Sequence, residues 1–469
     1  MPTPRTQRPV WWWLPAFIGL AFILFWPTLQ WTPFSDDHSA LWNSGVRGIP
    51  WRTGFFRPLS DLTFRIGYLL GGTEVHVHRS FNVLLHGFNA FLLYVLCRQW
   101  SFGTGSSLAG LLFLVYPFHQ ESIVWLVGRE SALGTLSVLL GLVLAGSAIL
   151  PFLRLLLMAV VLVMGGLCYE SALLLFPLAL VAAWSGVIPH WTRLRPVIIA
   201  LGTATIVYVL LRMMTVGLEA GGYFGDLHPR DASALILRIP KAIARLFIPP
   251  EHVLAVQAVR VGSACTAVFL LTALILLVHR RKEDRAIRAR FIVWLMFLLM
   301  ALSISVMGGV STMTSESDRF LHLPSVFLCG VAGLLLSRLK HPFMRWGSFV
   351  ALVVVCMWGT SLNHRNWRTA STMTMRCIEN LPPIPENGHL WVSGLPSDNA
   401  GAFIFRNGFP EAMDLNGRNG EGIIVVPSGI TFQQVFSSGL HFRGTHRTWG
   451  AQDSWCTWLG TSYTTRPSQ

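Results

Sequence analysis

The sequence predicts an all-α polytopic membrane protein of about eleven transmembrane helices with a small, mainly β domain at its C-terminal end. Three observations predict it. Only 12% of the 469 residues are charged while 52% are hydrophobic, and mean hydropathy is +0.52; a water-soluble domain carries roughly 25% charged residues. The apolar residues gather in runs long enough to cross a bilayer. Beyond about residue 380 those runs stop, and Gly, Asn and Pro separate short β-favouring stretches such as HLWVSG and GIIVVPS.

A spanning helix needs about 20 mostly apolar residues. Candidate spans lie near 10–31, 78–98, 103–118, 132–151, 153–169, 171–188, 196–213, 254–279, 291–310, 322–338 and 346–362. The first run follows Arg5 and Arg8, as in a secretory signal. Its far end, WPTLQWTPF, lacks a small-residue cleavage site, so it reads as a retained anchor. With the N-terminus in the cytoplasm, the short inner loops hold Arg98, Arg154, Arg193, Arg195, the run HRRKEDRAIRAR, Arg338, Lys340 and Arg345. This satisfies the positive-inside rule and exports residues 363–469. A bacterial cytoplasmic (inner) membrane is the simplest location.

The net charge of +14 follows from those loops. No compact basic patch interleaved with aromatics exists, which argues against a nucleic-acid partner. Acidic residues are distributed the other way. Of fifteen carboxylates through Asp318, only Glu283 and Asp284 fall on the cytoplasmic side. Acids contribute little to topology, so outer-face chemistry is the candidate cause. The seven cysteines form no C-x-x-C pair. Cys377 and Cys456 lie in the exported part, where a disulfide is permitted.

The domain reading places a membrane domain over 1–375, with outer loops 32–77 and 214–253, and an extracytoplasmic β-rich domain over 380–469. Long loops in a compact protein are usually functional. Within 214–253, LILRIPKAIARLF sets Arg238, Lys241 and Arg245 on one face. Such a helix can lie in the interface with its cations near lipid phosphate, or present a plain solvated face.

Candidate functional groups crowd the outer side. FSDDHSALWNSGV puts Asp36 and Asp37 just beyond the first span. Ser35 or Asp36 caps a short helix, or one aspartate is a general base for an acceptor hydroxyl while the other positions it or binds a metal. Arg57, Asp61 and Arg65 follow in FRPLSDLTFRIG. His78, Asn82, His86 and Asn89 share one helix face, lining a wet cavity or bonding neighbouring helices. His119 and Glu121 offer two metal-type ligands, too few to define a site, so a divalent metal stays a candidate cofactor. Arg129 suits a bidentate phosphate contact or an ion pair with Glu130. Glu170 stands alone at an outer helix end, and Glu316, Asp318, Arg319 and His322 come to the same face.

These segments also carry a family resemblance. FSDDHSALWNSGV, FRPLSDLTFRIGYLLGG, HVHRSFNVLLHGFNAFLLYVL, YPFHQESIVWLVGRESALG, CYESALLLFPL, ESDRFLHLPSV and RNWRTASTM run in the order found in the membrane domain of the tetratricopeptide-repeat O-mannosyltransferases. Those proteins belong, with the protein O-mannosyltransferases, to the GT-C glycosyltransferase superfamily. The resemblance covers about residues 10–375 and implies a GT-C-like fold. It further implies an inverting transferase that takes a sugar, mannose by likeness, from a polyprenyl-phosphate donor on the exported face. Asp36 is then the favoured base over Asp37, Arg129 a ligand of the lipid phosphate, and His119 and Glu121 site-lining residues. The repeats of that family have no counterpart in 380–469, which leaves the acceptor open among protein, lipid and glycan. A transporter or flippase of lipid-linked sugars is the alternative. It calls for polar groups at mid-bilayer and symmetric halves, whereas the polar groups here crowd one face.

Overall fold

A computed structural model describes residues 11–50, 55–186, 194–217, 232–250, 285–442 and 445–466. The expected span 254–279, residues 218–231 and 251–253 of the expected outer loop 214–253, Cys265 and the acids Glu219, Asp226, Asp231, Glu251, Glu283 and Asp284 lie outside the described residues.

Six helices among the described residues are long and apolar enough to cross a bilayer: Trp13–Gln30, Val75–Gln99, Leu194–Val216, Ala286–Gly308, Asp318–Ser337 and Pro342–Glu379. The chain is an integral membrane protein. The expected count of eleven is not reached among these residues, because four expected spans form shorter helices. Gly105–Val115 has 11 residues, Arg129–Ala145 has 17 and Pro151–Gly166 has 16. The fourth divides into a 3-10 turn, Glu170–Leu174, and an 11-residue helix, Leu175–Ser185. At about 1.5 Å per residue, 11 residues reach only about 16 Å of a hydrocarbon core near 30 Å thick. Proline supplies one of these breaks. Tyr116 takes extended angles (φ −61°, ψ 126°) before Pro117, as a residue preceding proline prefers.

The residues fall into two compact units. The first gathers Met1–Leu29, Arg52–Leu62 and Arg79–His364. Its lipid-facing surface is plain in Leu194–Val216, where Ile199, Ile206, Leu210 and Met214 are all more than half exposed yet satisfy their backbone bonds internally. Its interior is packed at small residues. A Cβ at Gly105 would come 2.4 Å from the Gly333 carbonyl oxygen, and one at Gly333 would come 2.4 Å from that of Gly105. These two glycines let Gly105–Val115 and His322–Ser337 approach backbone to backbone.

The second unit gathers Gln30–Trp51, Thr63–His78 and Arg365–Gln469. Buried Trp367, Ala370, Thr374 and Cys377 recur every three or four residues, so the last long helix continues well past the expected end at 362. Beyond it lies a four-stranded sheet whose strands lie side by side in the order Ile423–Val425, Leu390–Ser393, Ser454–Trp458, Tyr463–Arg466. Leu390–Ser393 pairs parallel with both of its neighbours, and Tyr463–Arg466 returns antiparallel on Ser454–Trp458. Parallel strands need crossover connections, and these carry the helices Phe409–Leu415 and Phe432–Ser438. The region is therefore mixed α/β, where the sequence suggested mainly β. Trp391, Val426, Val435, Leu440 and Trp455 form its core. Cys377 and Cys456 are buried and unbonded, so the expected disulfide is not formed; Cys456 is instead in register with Val392 in mid-sheet.

Candidate functional site

The Asp-Asp turn belongs to the second unit. Ser35 has φ +46° and ψ −116°, a conformation costly for a residue with a Cβ. Its backbone N–H donates to the Ile404 carbonyl at 2.8 Å, and its Oγ accepts from the Asn407 N–H at 3.2 Å. Gly408 closes the clamp: at φ +80°, a Cβ there would stand 2.4 Å from the Ser35 carbonyl oxygen. This turn separates the roles of the two acids. Asp37 is fully buried and its Oδ2 accepts the N–H of Phe34, ahead of the short helix Asp36–Ser39, at 3.0 Å; no side chain caps that helix, so the capping expectation is not met. Asp36 is only half-buried, and its Oδ1 accepts from Asn407 Nδ2 at 2.9 Å. Beside them His38 is buried against the Phe405 ring, centroids 5.6 Å apart. Burial lowers its pKa to about 3, so the ring is neutral.

His78, Asn82, His86 and Asn89 do not act as one set. His78 Nε2 bonds the Gly72 carbonyl at 3.1 Å and its ring stacks on Phe64. Asn82 Nδ2 donates to the Ile123 and Trp125 carbonyls, each at 3.1 Å, and Asn89 Nδ2 to Ala132 at 3.0 Å. His86 Nε2 reaches the Leu114 carbonyl at 3.1 Å. Both asparagines therefore bond one helix to its neighbours.

The charged residues of the first unit pair across the chain. Arg57 contacts Glu130 and lies 2.7 Å from Glu170 Oε2, with the Phe55 and Tyr169 rings each 4.5 Å from its guanidinium. Glu130 thus pairs with Arg57, far from it in sequence. Arg129 donates from Nε to the Leu126 carbonyl at 3.1 Å and lies over the Phe81 ring. Glu121 pairs with Arg319, whose backbone N–H also donates to it at 3.2 Å. Burial pushes the Glu121 carboxyl up, opposed by Arg319. His119 and Glu121 therefore do not make one ligand pair; His119 turns instead toward His86 and His322. Arg245 is buried and paired with Asp318, not held at a lipid surface, while Lys241 is exposed.

Arg212 was not anticipated. It is a single cation in the apolar run VLLRMMTV, and that isolation is the signal by which sequence reading could have found it. It donates to Glu170 Oε1 at 3.3 Å, extending the Arg57–Glu170 network. This end opens on a cavity of about 510 Å³ lined by Glu170, Arg212, Tyr208 and the apolar Leu173, Met213 and Met307. Its walls are apolar and its polar groups few, the make-up of an amphipathic ligand pocket.

No protein-family model matches the chain. It is 40% identical over 89 residues to the protein O-mannosyl-transferase tmtc2 of Xenopus laevis, an overlap of 19% of this chain and 10% of that protein. To the protein O-mannosyl-transferase Tmtc1 of Drosophila melanogaster it is 33% identical over 131 residues, 24% of this chain and 15% of that one. The matches thus span a small fraction of those relatives' length. Among solved structures, ArnT from Cupriavidus metallidurans bound to undecaprenyl phosphate aligns over 89% of this chain and 86% of its own, with TM-score 0.49 and 12% identity. The Archaeoglobus fulgidus oligosaccharyltransferase aligns over 88% and 62%, with TM-score 0.43 and 11% identity. Ordered motifs and matched stretches agree that the chain resembles the protein O-mannosyl-transferases.

Proposed function

We propose that this chain is a membrane glycosyltransferase that moves a sugar, mannose first, from a polyprenyl phosphate to an acceptor hydroxyl with inversion. The observation that carries the reading is the apolar cavity ending at Arg212 and Glu170. A polyprenyl phosphate has that polarity: a hydrocarbon tail for the walls and a phosphate for a cation. Arg212, with Arg57 behind Glu170, supplies positive charge where the departing phosphate gathers its own. The similarity to O-mannosyl-transferases and the name of ArnT's bound lipid suggest the donor class.

Asp36 is the better base. Its carboxylate has one half-exposed side and an amide to aim it, whereas Asp37 is occupied with its own turn. The base takes the hydroxyl proton as the acceptor oxygen attacks the anomeric carbon from the face opposite the phosphate. Both ends of that exchange belong outside the cytoplasm in this reading, in a bacterial inner membrane, with a protein, lipid or glycan as acceptor.

The test is transfer by purified wild type and Asp36→Asn from radiolabelled polyprenyl-phosphate sugars to an envelope extract. Transfer is expected from wild type and a fall of roughly 10²–10⁴ in the variant, with donor binding unchanged. Equal transfer by both removes Asp36 from the role. No transfer with any donor, together with labelled lipid crossing vesicle membranes, replaces transfer by transport.

A further inference from the structure

His86, His119 and His322 reach one point in the first unit from three separate segments, and each is fully buried. Ring centroids are 4.5 Å apart for His119–His322, 5.1 Å for His86–His119 and 6.0 Å for His86–His322. One ring nitrogen from each lies within 4.8 Å of the others. Among the described residues no other three His, Cys, Asp or Glu side chains come together in this way.

The hydrogen bonds behind these rings decide which nitrogen is free. His86 Nε2 faces the Leu114 carbonyl at 3.1 Å, a pure acceptor, so Nε2 carries the proton. His322 Nδ1 faces Thr135 Oγ1 at 3.0 Å. That hydroxyl already donates to the Ser131 carbonyl at 2.9 Å, so it accepts from Nδ1–H. His119 Nε2 faces Ser325 Oγ at 2.7 Å, and that hydroxyl donates to the His322 carbonyl at 2.7 Å. The Phe113 carbonyl lies near the His119 ring without closing a hydrogen bond. What remains is one lone pair on each ring, at His86 Nδ1, His119 Nδ1 and His322 Nε2, all buried and without a hydrogen-bond partner.

Three unpaired acceptors in a desolvated interior are costly. Three imidazoles, each bonded through its other nitrogen to a carbonyl or hydroxyl, are the usual support of a metal ion. The Phe113 ring packs against all three, at 4.5–5.3 Å between centroids, and keeps bulk water away. Neither a thiolate nor a carboxylate joins the cluster, since nearby Glu121 is held by Arg319. A neutral all-imidazole set selects a first-row ion of the zinc or copper type over magnesium or calcium.

We propose that His86, His119 and His322 bind one transition-metal ion, zinc first, tying the helix Val75–Gln99, the turn Pro117–His119 and the helix His322–Ser337 together. Zinc bound at about 2.0–2.1 Å holds its nitrogens roughly 3.3–3.5 Å apart, so the rings close inward slightly on binding. A water or hydroxide takes the fourth position. This site stands independently of sugar transfer.

The test uses the full chain in detergent, purified through an affinity tag free of histidine. Elemental analysis is expected to find about one zinc or copper per chain. Stripped protein is expected to take up Co(II) with the intense visible bands of four-coordinate nitrogen ligation. His322→Ala loses both. Thr135→Val keeps every ligand and removes only the bond that orients His322, so it weakens Co(II) affinity about 10–100-fold, and it decides the matter if the alanine variant fails to fold. His76→Ala, at an exposed imidazole, leaves binding intact. Wild type that carries no stoichiometric ion and gives no Co(II) bands overturns the proposal. So does affinity equal in wild type and Thr135→Val, or lost in His76→Ala.

Discussion

The side-chain amide of Asn407 donates to Asp36 Oδ1 at 2.9 Å across 371 residues of chain. A hydrogen bond to a carboxylate contributes about 1.5–3 kcal/mol, and here it also fixes which way that carboxylate points. Asn407→Ala is expected to lower kcat for sugar transfer about 10–100-fold, with the donor KM little changed. Steady-state assays alongside a melting curve check this. Unchanged kcat in a folded variant would detach the amide from catalysis.

Arg212 and Glu170 define the polar end of the cavity. Arg212→Gln keeps a donor but removes the charge, so the donor KM should rise about 10–100-fold. Acceptor KM should not move. A titration with polyprenyl phosphate alone reads the same loss without catalysis.

Gly105 and Gly333 permit contact that no side chain could share. Gly333→Val forces a Cβ to within 2.4 Å of a carbonyl oxygen, and overpacking of this kind costs about 1–3 kcal/mol or more. A lower melting temperature in detergent, with the second unit's near-ultraviolet signal retained, is the expected outcome.

Asp453 anchors the C-terminal sheet. It accepts the His389 N–H at 2.7 Å, the Trp391 indole at 2.8 Å and the Gly450 N–H at 2.8 Å. Burial pushes its carboxyl up, yet those donors outweigh burial and hold it below the ordinary range. A depressed folded-state pKa adds stability above the unfolded value, about 3.9, and loses it as pH falls through the folded one. Asp453→Asn should therefore destabilise the unit by about 1–3 kcal/mol at neutral pH, and the gap should shrink only below about pH 4. Paired pH-dependent melts check the sign.

Much of this was legible in the residues. Apolar runs located the helices, and the Asp-Asp pair marked a turn, though no side chain caps the helix it opens. Run length misled where proline or a polar turn divides a helix, as at Tyr116–Pro117 and Glu170–Leu174. The shared face of His78, Asn82, His86 and Asn89 was legible, but not that each would find a different partner. Short crossover helices were masked by the Gly, Asn and Pro around them. Contacts such as Asn407–Asp36, Arg245–Asp318 and the His322 ring beside His119 join residues far apart in sequence. No local periodicity encodes them.

The clamp on Ser35 and Asp36 also imposes a schedule on synthesis. Residues 30–51 leave the ribosome early, but Ile404, Asn407 and Gly408, which hold the turn shut, emerge more than 360 residues later. At about 5–20 residues per second that delay is roughly 20–75 s. Throughout that delay Ser35 lacks the backbone partner, and Asp36 the amide, that hold them in the finished fold. A nascent chain that stalls before residue 404 therefore leaves this turn unclamped, and the clamp closes only after residue 408 has been made.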